Sequence, residues 1–227
     1  MTESKHPALS ATQEDYLKAI LHWNEQGQTA STQTLAQYFG VKPSSVTEML
    51  HRLAQQNLID YAPYQGAQLT SAGKFRALEV LRRHRLIETF LARFLGYGWE
   101  EVHQEADRLE HAVSAEMEER MAQALGYPER DPHGDPIPSR EGVFPPEPGL
   151  LRLDMAPAES VQIVQVMSQD PEVLELMTRL ELFPGQTFTV LAQSELGTRI
   201  EQNLKKMLIP LGIAQLIRVV PGGETHD

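Results

Sequence analysis

Between Tyr127 and Gly149 the chain places seven of its fifteen prolines, in PERDPHGDPIPSREGVFPPEPG, with Gly134 and Gly142 inside the run. Proline fixes φ and donates no hydrogen bond, so neither a helix interior nor a central strand can pass through such a stretch. The segment predicts an extended, semi-rigid linker, with residues 143–150 as the link between domains. Ahead of it apolar residues recur with the period of a helix, and behind it they alternate as in strands. A chain of 227 residues is long for one core, and the break falls where a division is expected.

Three helices open the chain. ATQEDYLKAILHWNEQG predicts a first helix with Thr12 as N-cap and Asp15 three residues on, an apolar spacing of Tyr16, Leu17, Ile20 and Leu21, and a stop at Gly27. STQTLAQYFG predicts a short second helix from about Ser31 to a glycine stop at Gly40. KPSSVTEMLHRLAQQNLI predicts a third, with Pro43 in its first turn and Val46, Leu50 and Leu53 along one stripe. Two short helices joined by a tight glycine turn form a helix-turn-helix, and LIDYAPYQGAQLT behind them reads as a hairpin, so residues 1–75 are expected to be a winged helix-turn-helix.

Ser71 is expected to cap a long helix ending at Gly96. Its Leu78, Leu81, Leu86, Phe90, Leu91 and Phe94 offer more apolar surface than a small winged domain can cover, which fits either a dimer interface or an internal core. A further helix is expected from Glu100 to about Val113, and another from a Ser114 cap to Gly126. After residue 150, SVQIVQVM, QTFTVLAQS and IAQLIRVV read as strands around one helical piece, PEVLELMTRLE. The expected fold class is mainly α with small β elements. It comprises the winged domain, a helical domain over 76–142 and a small β-barrel over 151–227.

Charge narrows the function. The net charge of −11 argues against a chain that grips nucleic acid along its whole length. Residues 1–98, however, hold ten Lys/Arg against eight Asp/Glu, a net of +2, while residues 99–227 hold ten against twenty-three, a net of −13. Only the first part could approach DNA comfortably, and the acidic remainder suits cations or a partner surface. The absence of cysteine, of an apolar signal core near the start and of any run approaching a membrane span sets the expectation of a cytoplasmic protein without a membrane partner.

The stretch HQEADRLEHAV carries His103, Asp107, Glu110 and His111 at offsets that fall within roughly 100° of one helical face. Such a stripe is either a solvated face or a metal site. In RRHRLIE of the preceding helix, His84 and Glu88 also stand four apart and share a face. Asp15 in turn reads either as a first-turn carboxylate favoured by the helix dipole or as a ligand.

The order of a winged helix, RRHRLIE, VHQEADRLEHAVSAEMEERM, PHGDPIP, a Pro-rich segment and a small β domain resembles the diphtheria toxin repressor family of metal-dependent transcriptional regulators, including its manganese-responsive branch. The resemblance covers nearly the whole chain and is most specific over residues 82–138. It implies a homodimer held by the 76–142 domain, an SH3-like fold for the C-terminal domain, and two metal sites. The regulatory site would take Asp15, Asp107, Glu110 and His111; the ancillary site would take His84, Glu88 and His103, with Asp170, Glu172 and Glu175 as candidates from the C-terminal domain. Iron-type members carry Met and Cys where Asp15 and Asp107 stand, and manganese-type members carry Glu where Lys18 stands. A donor set of oxygen and imidazole alone suits Mn²⁺ or Fe²⁺, with Zn²⁺ or another divalent ion able to substitute in vitro.

The expected function is a metal-dependent DNA-binding regulator, repressing metal-uptake genes, and not an enzyme. On double-stranded DNA the third helix would present Lys42, Ser44, Ser45, Thr47 and Glu48 to the major groove with Arg52 nearer the backbone, and Tyr64 and Gln65 would stand at the wing tip. Glu48 either accepts from a cytosine or closes a capping box with Ser45. A dimer predicts a palindromic operator. Competing readings are a winged-helix regulator that senses an organic effector, a metallohydrolase, and an interaction module carried by the β domain.

Overall fold

The computed structural model describes residues 9–62, 65–147 and 149–222. They form two compact units, one built on residues up to 83 with 110–113 and 138–143, the other on 84–109, 114–137 and the chain from 144 onward. No helix among the described residues is long and apolar enough to cross a membrane.

The first unit opens with α1 (Ala11–Glu25), α2 (Thr32–Phe39) and α3 (Pro43–Gln55). The cap of α1 is Ser10 rather than Thr12: its hydroxyl accepts from Gln13 N while the Gln13 side chain accepts from Ser10 N, a complete capping box. Ser31 caps α2 through Thr34 N, and Gly40 ends it in the left-handed conformation at φ 63°. The helices bury Leu17, Ile20, Leu35, Val46, Leu50 and Leu53 completely, and Tyr16 stacks on Phe39 at 4.3 Å.

Strands β1 (Ile59–Ala62) and β2 (Gly66–Leu69) form the expected hairpin, in register from Ile59 opposite Leu69 to Ala62 opposite Gly66. Gly66 is obligatory on two counts. Its φ is +80°, and a Cβ there would come within 2.7 Å of the Thr29 methyl and 2.9 Å of the Ala30 carbonyl oxygen. The long helix α4 (Ser71–Leu95) is capped by Thr70, one residue earlier than expected, with its hydroxyl accepting from Gly73 N at 3.0 Å.

In the second unit α5 (Val102–Leu109) and α6 (Ala115–Ala124) follow α4. Helix α5 stops four residues short of the expected Val113. Ser114 begins the next helix by accepting from Met117 N, so the chain must turn over residues 110–113. Leu86, Ala122, Leu125 and Ile137 make a small core with Phe90 against it.

Much of the proline-dense stretch is not an extended linker. Proline donates no backbone hydrogen bond but its carbonyl still accepts one, and arginines of α4 use these acceptors: Arg85 donates to Pro136 O and Arg82 donates to Pro138 O at 2.9 Å. Ile137 is 4% exposed.

From Leu151 the chain builds one antiparallel sheet of β3 (Leu151–Arg152), β4 (Ser160–Val166), β5 (Thr187–Ser194), β6 (Gly197–Gln202), β7 (Lys205–Pro210) and β8 (Ile217–Pro221), in the order β3-β8-β4-β5-β6-β7. Helix α7 (Pro171–Arg179) and the short α8 (Leu211–Ala214) complete it. Leu153, Ile163, Leu174, Met177, Phe188, Ile200, Ile217 and Val219 are its core, and Trp99 packs against them. Strands β6 and β7 were not expected, because GTRIEQ and KKMLIP bring charge into a weak alternation; the two lysines stand on the edge strand, where charge is tolerated.

Candidate metal centre

With Ser10 as cap, Asp15 is the fifth residue of α1, beyond the first turn, so a capping role no longer accounts for it. Glu14, Asp15 and Lys18 lie on one side of that helix. Because α5 ends at Leu109, Glu110 and His111 leave the helical stripe and reach α1 from the 110–113 turn. His111 Nδ1 is 2.7 Å from Glu14 Oε2, and its Nε2 is 2.9 Å from Asp15 Oδ1 and 3.6 Å from Glu110 Oε1. One ligand atom from each of Asp15, Glu110 and His111 falls within 4.8 Å of the other two. Arg83 donates to the Glu110 carbonyl oxygen at 2.8 Å, which fixes the turn.

Burial raises the Asp15 carboxyl above its usual range, more than the nearby His111 and Lys18 lower it. Burial pulls the His111 imidazole down, but the Glu14 hydrogen bond and the charges of Asp15 and Glu110 outweigh it, and the ring is held above its ordinary value. The donor set fits a divalent ion: Glu14 accepts from Nδ1–H and turns Nε2 toward two carboxylates, as outer carboxylates orient metal-binding imidazoles. Glu14 was missed from the sequence, where its neighbour Asp15 drew the argument.

The second cluster lies wholly in the other unit. His84 Nε2, His103 Nδ1 and Glu88 Oε1 are 3.0 to 3.1 Å from one another. Three ligand atoms at right angles around a first-row divalent ion, each about 2.1 Å from it, stand about 3.0 Å apart, so these groups also fit. Burial pushes Glu88 up, yet the His84 charge and hydrogen bonds from both imidazoles hold it well below the usual carboxylate range. Asp107, expected beside Asp15, belongs to this unit. Its carboxylate oxygens are 3.4 Å from His84 Nδ1 and 3.7 Å from His103 Nε2.

A third constellation shares Glu88 and adds Asp131 and His133, all three buried. Asp131 Oδ1 accepts from His133 N at 2.8 Å and Asp135 N at 2.9 Å, whereas Oδ2 has no hydrogen-bond partner and only Arg85 Nε at 3.7 Å. His133 Nε2 donates to Trp99 O at 2.8 Å, which leaves Nδ1 as a buried lone pair without a hydrogen bond. Burial and the charges of Asp135 and Glu88 raise Asp131 well above its usual range. Gly134 lets this turn press on β4, where a Cβ would meet Val164 O at 1.9 Å. The pattern Asp-Pro-His-Gly-Asp was legible at residues 131–135, but the proline count led to a linker.

The candidates from the C-terminal domain have other tasks. Asp170 caps α7 by accepting from Glu172 N at 2.9 Å, Glu172 sits in the first turn, and Glu175 pairs with Arg179 at 3.8 Å. All three are exposed, and among the described residues none joins a metal-capable cluster.

On the opposite kind of surface, Lys42, Ser44, Ser45, Glu48 and Arg52 are exposed along α3, while Thr47 is half-buried and donates to Pro43 O at 3.0 Å. Glu48 pairs with Arg52 at 3.2 Å; the N-cap of α3 is Lys42 without a side-chain cap bond, so the Ser45–Glu48 capping box is not formed. Gln65 is exposed at the hairpin tip, and Tyr64 lies outside the described residues.

Comparison with known proteins finds similarity along most of the chain. Residues 8–67 match the family model of the iron dependent repressor N-terminal DNA binding domain, residues 70–139 that of the iron dependent repressor metal binding and dimerisation domain, and residues 153–221 the FeoA domain. The iron-dependent repressor IdeR of Mycobacterium tuberculosis is 35% identical over 75% of this chain and 78% of its own length. The diphtheria toxin repressor of Corynebacterium diphtheriae is 29% identical over 84% of this chain and 83% of its own. Among solved structures, a manganese-dependent transcriptional repressor in complex with manganese superposes with a TM-score of 0.81 at 37% identity, covering 92% of this chain and 99% of the other. ScaR with bound Zn²⁺ does so at 0.75 and 31%, with coverage of 92% and 99%.

Proposed function

The chain belongs to the iron-dependent repressor family, and from that premise we propose that it is a metal-regulated repressor of transcription whose activating ion is held by Asp15, Glu110 and His111. It is a DNA-binding homodimer and not an enzyme. The observation that carries the reading is the convergence of Asp15 with Glu110 and His111 across some ninety-five positions of sequence. The resemblance would also give Asp107 to that set; its carboxylate lies instead beside His84 and His103, which with Glu88, Asp131 and His133 form the ancillary set in this reading. Asp170, Glu172 and Glu175, the candidates from the C-terminal domain, stand outside both sets among the described residues.

The domain assignment follows: residues 1–75 read DNA, 76–142 bind metal and dimerise, 143–150 link, and 151–227 form an SH3-like β domain, a reading supported by the FeoA match and the antiparallel sheet. The protein works in the cytoplasm, on genes of metal uptake. On a palindromic operator, Lys42, Ser44, Ser45, Thr47 and Glu48 face the major groove, Arg52 the backbone, and Tyr64 and Gln65 the region of the wing.

Mn²⁺ or Fe²⁺ suits a site of carboxylate oxygens and imidazole with no sulfur, and Zn²⁺ is expected to substitute in vitro. A bound divalent ion supplies two positive charges among mutually repelling carboxylates. The residues do the rest. Glu14 orients His111, Arg83 fixes the 110–113 turn, and Asp15 carries the bond to α1, the first helix of the DNA-reading part. Without the ion the Asp15 and Glu110 charges still oppose one another, a cost that Lys18 at Glu110 lessens. Coupling of this kind is typically about 1 to 3 kcal/mol, roughly 5- to 150-fold in operator affinity.

The test is retention of fragments from a DNA pool by metal-stripped protein with Mn²⁺, Fe²⁺ and Zn²⁺ supplied in turn. Selective retention that chelator and Asp15→Asn both abolish is expected. Retention indifferent to chelator would overturn the reading.

A further inference from the structure

The regulatory cluster contains a cation of its own. Lys18 Nζ lies 2.7 Å from Oε1 and 2.9 Å from Oε2 of Glu110, spanning the whole carboxylate. Glu110 is fully buried, and the Lys18 side chain is only 19% exposed, so the pair is largely withdrawn from water. Asp15 and Lys18 stand three apart on α1, one turn of the same face, and both reach the same glutamate ninety-two positions and more away in sequence.

We propose that Lys18 is a resident counter-ion that sets the metal threshold of the regulatory site, because a divalent ion must enter beside a glutamate whose two oxygens are already engaged by an ammonium. The proposal rests on the reading that Asp15, Glu110 and His111 hold the activating ion. A buried carboxylate without a counter-charge is expensive, and lysine removes that expense before any ion arrives. The same ammonium then opposes the ion. A unit charge a few ångströms from a divalent ion weakens its binding even where the medium screens nearly as well as water, and more where it does not.

Arg83 is the other fixed cation. Its guanidinium is 3.7 Å from Glu14 Oε2 and donates to the Glu110 carbonyl oxygen. Lys18 is a cation that spans both oxygens of the Glu110 carboxylate, so its removal should be felt by a ligand atom of the site. Lysine holds the glutamate as a point charge and leaves geometry to Asp15 and His111, so it acts as a positioning residue with an electrostatic cost to the ion.

The experiment titrates the metal-free full chain with Mn²⁺, following loss of the free-ion signal by electron paramagnetic resonance. The regulatory site is defined as the uptake lost in Asp15→Asn. Lys18→Gln and Lys18→Met are expected to tighten Mn²⁺ at that site by at least about tenfold, and Lys18→Arg to leave it near wild type. Without metal, the two neutral variants should melt lower than wild type, because Glu110 loses its counter-charge; with Mn²⁺ they should recover most of that loss. Unchanged or weaker Mn²⁺ binding in both neutral variants would overturn the role of Lys18 while leaving the site itself intact. Uptake by Asp15→Asn equal to wild type would instead overturn the site, and the proposal with it.

Discussion

At the residue scale, His111 decides how the site responds to protons. Its folded-state pKa is raised, so protonation stabilises the metal-free chain: that contribution is complete below the unfolded value and is lost as pH rises through the raised one. Metal needs the neutral ring. Mn²⁺ affinity should therefore begin to fall at a higher pH than for an ordinary imidazole, by about tenfold per pH unit once below the raised value, and the raised Asp15 carboxyl adds to the same trend. Isothermal titration between pH 5 and 8 checks this; affinity that improves on acidification would contradict it. Glu14→Gln should weaken Mn²⁺ about 10- to 100-fold by freeing the imidazole it orients, in the same titration. Most of the candidate ligands were legible one at a time, since imidazole and carboxylate at helical spacing are conspicuous. Glu14 was not, and the pattern at Asp131 and His133 carried no sign of a site, because what marks these three is an orphaned lone pair or a hydrogen bond to a distant ring.

At the element scale, the ends of helices matter more than their middles. Had α5 continued to Val113, Glu110 and His111 would have shared a stripe with His103 and Asp107. The Ser114 cap and the turn before it separate the two pairs. Ser10→Ala should cost about 0.5 to 2 kcal/mol in urea unfolding, through loss of the capping box of the helix that carries Asp15. Leu53→Ala, at a fully buried position of the helix-turn-helix core, should cost about 2 to 5 kcal/mol. Thr12→Ala should change little, since Thr12 is exposed and caps nothing; a loss equal to that of Ser10→Ala would contradict the cap assignment. The helices were legible because period, cap type and glycine stops agree over many residues. Cap positions slipped by one or two residues because Ser, Thr and Asp crowd the same junctions and only the hydrogen bond selects among them.

At the scale of the whole molecule, charge and metal set behaviour together. The chain is strongly acidic, so in the proposed reading its contact with DNA rests on local cations such as Lys42 and Arg52, and removing either should reduce the salt slope of operator binding by about one unit. Stripping metal should lower the melting temperature, since ions that bind only the folded chain stabilise it by about 2.7 kcal/mol at a hundredfold excess over Kd. Scanning calorimetry with and without chelator measures it, and an unchanged transition would count against both clusters. The residues alone determined the order of elements, the winged helix-turn-helix, the helical and β parts and most of the candidate ligand types, because periodicity, caps and charge are local properties. Which groups meet was decided only by tertiary structure. Pairings such as His111 with Asp15, Lys18 with Glu110, or the folded proline stretch with the arginines of α4 depend on where turns place distant segments, and no local spacing encodes that distance.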